Sequence, residues 1–253
     1  MSVLQLQTAM ARLLASAEFR EQVRKDGGES LRAYGLSELE HQELMSLLEG
    51  RLGLYAGCVS AGKEDYLLGN LPAVVTSRLP EPALRPALRR FIEKHPEATL
   101  HPRDEGLAFV LGWLEEDLDA PAHARDVLRY ERRRRQVMAA TARYGHPAGT
   151  PLPERLRRHP GWDADRFAYD VPAGAPGEVC WMFKGQSGGA AVTPCHPLLA
   201  DVARAFDPPA EVASVVAKLT ARHQADPHLG PDVEGAVREV IGELFAEGSL
   251  RSA

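Results

Sequence analysis

The stretch Arg166-Phe167-Ala168-Tyr169-Asp170-Val171, followed after Pro172-Ala173-Gly174-Ala175-Pro176-Gly177 by Glu178-Val179-Cys180-Trp181-Met182-Phe183-Lys184, breaks a chain that otherwise reads as helices. Within each short run the aromatic residues fall two apart. Phe167 and Tyr169 therefore share one face of a strand, and so do Trp181 and Phe183. The proline and glycine residues between the runs read as a turn. Gly185-Gln186-Ser187-Gly188-Gly189 would then lead into a third strand at Ala190 to Thr193.

Helical periodicity surrounds this sheet. Downstream, three patterns run from Pro197 to Phe206, Pro209 to Arg222 and Pro231 to Glu247, with Val233, Val237, Val240, Ile241 and Leu244 on one face of the last. Strands followed by three helices resemble a winged-helix-like module with a short antiparallel sheet. Upstream, apolar residues recur three or four apart, as in Leu6, Met10, Leu13 and Leu14, and in Leu84, Leu88, Phe91 and Ile92. Ser37 with Glu40 forms an S-x-x-E capping pattern, which starts a helix expected to run to about Ala61 and to bury Cys58. A helix of about twenty residues is expected from Ala122. The expected fold is mainly α with a small α+β C-terminal part: a helical domain over 1–143, a linker over 144–164 rich in proline and glycine, and a winged-helix-like domain over 165–253.

The 253 residues are 44% hydrophobic and 26% charged, which is enough apolar material for a real core and excludes a disordered or collagen-like chain. The net charge of −5 gives no global attraction for nucleic acid. Three scattered cysteines, Cys58, Cys180 and Cys195, do not make a disulfide framework and fit a reducing compartment. No run approaches a membrane span, and Gln5, Gln7 and Thr8 interrupt the apolar stretch a signal peptide would need, so a cytoplasmic location is expected.

Chemical motifs are sparse. Gly185-Gln186-Ser187-Gly188-Gly189 matches G-x-S-x-G, with Asp201 and His223 downstream, but extended chain follows it where a nucleophile elbow requires a helix. Cys180, Cys195 and His196 lack the C-x-x-C or H-x-x-x-H spacing of a metal site, and Gly62-Lys63 lacks the rest of a phosphate loop. Arg129, Arg132, Arg133, Arg134 and Arg135 concentrate charge on one helix. Such a stretch reads as a solvated face, a docking surface for an acidic partner or a phosphate contact; the neighbouring Glu115-Glu116-Asp117 disfavours the last. Glu131 on the same helix reads as a carboxylate held inward against arginine.

The run Leu52 to Tyr66, then Leu71-Pro72-Ala73-Val74, Leu88 to His95, Phe109 to Leu114 and Asp126-Val127-Leu128-Arg129-Tyr130-Glu131 resembles a known helical domain. It belongs to the DNA-binding-domain-named partner subunits encoded beside multinuclear iron enzymes that modify ribosomally made peptides. Relatives serve the methanobactin and 3-thiaglutamate pathways. The likeness spans about residues 44 to 140, more loosely 165 to the end. Ala17-Glu18-Phe19-Arg20 and Tyr34-Gly35-Leu36-Ser37 instead look like small helical domains of peptide leaders and of small subunits of ring-opening dioxygenases.

The resemblance implies a non-catalytic subunit with no cofactor in its own chain. Iron would reside in a multinuclear non-haem partner enzyme, to which this chain presents a precursor peptide. Phe167, Tyr169 and Val171 are the expected peptide-facing strand, Val237 and Ile241 the groove-lining helix residues, and Arg132, Arg133, Arg134 and Arg135 the enzyme interface. The alternative is a winged-helix DNA-binding regulator. Asp232, Glu234, Glu239 and Glu243 against the single Arg238 oppose groove entry by the last helix, so nucleic acid is not the expected partner.

Overall fold

The computed structural model describes residues 3–50, 52–95, 104–140, 146 and 150–253. Its contacts divide the chain into two compact units, Met1–Ala120 and Pro121–Ala253.

The described part of the first unit is helical: α1 (Val3–Ala15), α2 (Ala17–Lys25), α3 (Glu29–Arg32), α4 (Glu38–Glu49), α5 (Leu52–Asn70), α6 (Ala73–Arg78), α7 (Glu81–Lys94) and α8 (Asp104–Asp117). Ser16 caps α2 by accepting from the Phe19 N–H, and Ser37 with Glu40 closes the expected capping box on α4. Ala9, Leu13, Phe19, Val23, Leu31, Leu44, Leu48 and Leu52 form one core cluster. Gly28 holds φ at 89°, and a Cβ there would lie within 3 Å of His41 and Met45. Only glycine permits that approach.

The single helix expected from Ser37 to Ala61 is two. It breaks at Gly50, whose N–H bonds the Ser46 and Leu47 carbonyls, and α5 then continues past Ala61 to Asn70. Because α5 turns Leu52, Ala56 and Leu67 inward, Cys58 is exposed rather than buried.

The second unit begins with α9 (Ala122–Ala139). It continues through β1 (Arg155–Arg158), β2 (Trp162–Asp170), β3 (Ala175–Gln186), β4 (Gly189–Pro194), α10 (Pro197–Ala205), β5 (Ala210–Glu211), α11 (Val212–His223), a short 3-10 turn (Pro227–Leu229), α12 (Val233–Ala246) and β6 (Leu250–Ser252). Two antiparallel sheets result, in the orders β5-β1-β6 and β2-β3-β4. The domain boundary therefore differs from the expected residue 143. Helix α9 belongs with the strands, since its Tyr130 ring packs edge-on against Phe167 and Phe183. Of the expected linker, 144, 145 and 147–149 lie outside the described residues, while Arg155–Arg158 is a strand.

Strand alternation assigns the two faces of the larger sheet. Asp163, Asp165, Phe167, Trp181 and Phe183 turn toward α9, whereas Trp162, Ala164 and Cys180 turn toward α10, α11 and α12 and join Val202, Val216, Leu219, Val237 and Ile241 in one core cluster. Helices α10, α11 and α12 and the short β5-β1-β6 sheet complete this unit.

Candidate functional site

The two borders of the β2-β3-β4 sheet are built differently. In an antiparallel ladder, main-chain groups of successive residues point alternately at the partner and away. The Gly185 N–H bonds the Gly161 carbonyl at 2.8 Å, so Asp163, Asp165 and Phe167 face β3 and the intervening residues face outward. The outward N–H of Trp162 bonds the His159 carbonyl at 3.0 Å, and those beyond it find side chains. Ala164 donates to Asp163 Oδ1 and Arg166 to Asp165 Oδ1, both at 2.9 Å. Where the register shifts past Phe167, Ala168 and Tyr169 donate to Asp126 Oδ2 of α9 at 2.8 and 3.0 Å. The outward carbonyls of Trp162 and Arg166 accept from Arg158 and Arg129 at 2.9 and 2.8 Å. The outward N–H groups of β2 are thereby occupied from Trp162 to Tyr169.

The sealing carboxylates are themselves held by cations. Arg133 reaches Asp163 at 2.9 Å and Asp165 at 3.4 Å, and Arg129 reaches Asp126 at 2.7 Å. Burial pushes the Asp163 carboxyl up from its ordinary range, and Arg133 and Arg158 oppose that shift. Inward-pointing charge on a border strand is a common means of preventing unwanted strand pairing.

Among the described residues the β4 border has no such seal. The Cys195 N–H bonds the Cys180 carbonyl at 2.9 Å, which sets the phase so that Gly189, Ala191 and Thr193 face β3 while Ala190, Val192 and Pro194 face outward. Among the described residues no side chain caps the outward N–H groups of Ala190 and Val192. Pro194 offers only a carbonyl, and Thr193 and Pro194 are exposed.

The residues singled out from sequence do not converge on one surface. Phe167 is 1% exposed beneath Tyr130, and Val171 is equally buried. Val237 and Ile241 are fully enclosed in the core cluster toward α10 and α11. Tyr169 alone is half-exposed, beside a cavity of about 340 Å³ that it shares with His123, Asp126 and Pro176. The side chains expected to face a peptide are thus largely core, and β2 is the border least able to accept a strand. Arg133 is engaged with Asp163 and Arg134 with Glu131 at 3.3 Å; all four residues from Arg132 to Arg135 are half-buried.

Ser187 and Gly188, with Gly188 at φ 85°, form the two-residue turn between β3 and β4, so the G-x-S-x-G run is a hairpin. His223 Nε2 lies 2.9 Å from Asp201 Oδ2, but that carboxylate also pairs with Arg166 at 2.6 Å and Arg222 at 3.2 Å in a buried ion network. Among the described residues, no three His, Cys, Asp or Glu side chains are placed to hold a metal ion, and no helix is long and apolar enough to cross a membrane.

The open border has a sequence signal that aromatic spacing obscures. Strand β2 carries Asp163, Asp165, Arg166 and Asp170, whereas β4 reads Gly-Ala-Ala-Val-Thr-Pro without a charge. No protein-family model and no curated protein matches this chain.

Proposed function

We propose that this chain is a non-catalytic partner subunit of an iron-dependent peptide-modifying enzyme, and that it captures the leader of a ribosomally made precursor peptide by strand addition along β4. The observation that supports this reading is the asymmetry of the sheet: the N–H groups of one border are taken up by Asp126, Asp163 and Asp165, and on the other the N–H groups of Ala190 and Val192 have no partner among the described residues. An extended peptide gains affinity from such groups and specificity from alternate side chains. In this reading β4 takes the role that the aromatic spacing suggested for β2, and iron belongs to the partner enzyme.

Titrating a fluorescently labelled precursor into the purified full chain tests the reading. Ala190→Pro removes an outward N–H without touching the bonds to β3. It is expected to weaken binding at least about tenfold, the loss of one good hydrogen bond, while circular dichroism stays unchanged. Absence of binding both with and without the iron enzyme overturns the reading.

A further inference from the structure

The bond from the Cys195 N–H to the Cys180 carbonyl makes these two cysteines direct cross-strand neighbours, one step beyond the Trp181 and Pro194 pair. Directly opposed residues project to the same face. Both side chains do so here: Cys180 is a buried member of the core cluster toward α10, and Cys195 packs half-buried against the same cluster. Hydrogen-bonded antiparallel pairs have Cα atoms about 5.5 Å apart, within the roughly 4.4–6.8 Å that a disulfide accepts.

We infer that Cys180 and Cys195 are a modification site, a cross-strand dithiol that closes to a disulfide in the presence of a small-molecule disulfide and reopens under a thiol reductant. The inference stands on this geometry and is independent of whether β4 accepts a peptide.

The chemistry balances as two successive exchanges. The Cys195 thiol, the more accessible of the two, loses its proton and attacks one sulfur of the oxidant. The oxidant's own S–S bond breaks, one small thiol leaves, and Cys195 carries a mixed disulfide. Cys180 then loses its proton and attacks Cys195 Sγ, expelling the second small thiol. Two protein thiols are oxidised to one disulfide, and the oxidant is reduced to two thiols.

Two features set its character. In this register the Cβ atoms start about 5.5 Å apart, against about 3.8 Å in a relaxed disulfide, so the end of β4 must move inward. Among the described residues no strand pairs with the outer side of β4, and Pro194 has no N–H to hold that side in place. A bond closed against such a displacement is easily reduced, which makes the site reversible. Burial also pushes the Cys195 thiol up to about 12 and raises Cys180, so few thiolates exist near neutral pH. Closure is therefore slow at pH 7 and accelerates about tenfold per pH unit.

The experiment uses the full chain carrying Cys58→Ser, which removes the exposed third thiol, incubated with oxidised glutathione at pH 8 under native conditions. The expected intact mass shows loss of two hydrogens with no retained glutathione, joined peptides containing Cys180 and Cys195 after digestion, and full reversal by dithiothreitol. In a Cys180→Ser background a glutathione adduct should instead persist on Cys195. That variant is informative only if its circular dichroism matches the parent, but the parent measurement needs no change at either cysteine. A lasting glutathione adduct on the parent, an unchanged mass, or a crosslink that forms only in urea each overturns the inference.

Discussion

The Asp126 carboxylate, carried by α9, accepts the main-chain N–H of Ala168 at 2.8 Å and thereby ties a helix to the border of the sheet beneath it. The same oxygen takes the Tyr169 N–H, and the other takes Arg129. Asp126→Ala leaves two N–H groups and a partly buried guanidinium without this partner, which should cost about 2–4 kcal/mol in urea unfolding. Asp126→Asn keeps an acceptor and should recover part of the loss. Equal stability of Asp126→Ala and the parent would show that the border needs no seal.

Asp201 anchors an ion network of this unit. Its side chain is 1% exposed, with Arg166, Arg222 and His223 on the same oxygen. Asp201→Asn should destabilise the protein by about 3–5 kcal/mol, because the guanidinium groups it neutralises stay where they are. A urea midpoint unchanged within error would mean that these ion pairs contribute no net stability.

Alkaline pH should weaken the fold through buried acids of the second unit, Cys195 and Tyr130 among them. Burial raises the Cys195 thiol from 9.0 to about 12 and the Tyr130 phenol from 10.0 to about 12. For a neutral acid raised on folding, the native state holds its proton more tightly, so the associated stability is complete below the unfolded value and lost as pH climbs toward the folded one. The urea midpoint should fall between pH 9 and pH 12. In Cys195→Ala that fall should be shallower, and an identical slope would exclude Cys195 as a source.

In the first unit, Gly28→Ala should cost at least about 1 kcal/mol from its left-handed backbone alone, and more from the approach of His41 and Met45. A Tm equal to the parent's would contradict the geometry at this turn.

Helix placement was readable from spacing and caps: the Ser37 and Glu40 box, the Leu84 to Ile92 stripe on α7 and the inward Glu131 all stand in the structure where the sequence suggests. The hairpin at Ser187 and Gly188 was equally legible, because glycine and chain extension carry local information. What escaped is long-range. Strands β5 and β6 are two and three residues long and form only against β1, so no local pattern announces them. Phe167 and Tyr169 signalled a strand but not which border it occupies, and a residue that packs in a core has the same alternation as one that faces a ligand. The seal on β2 joins Asp126 to residues about forty positions away, a relation visible only once α9 lies on the sheet.

A sheet with one finished side and one unfinished side has a limit on growth. If two copies met through β4, the composite would hold six strands and end on β2 at both extremities, where the outward N–H groups are already occupied. Assembly through this surface therefore terminates at a pair, so fibre formation by the native sheet is foreclosed by the same aspartates that neutralise the arginines of α9.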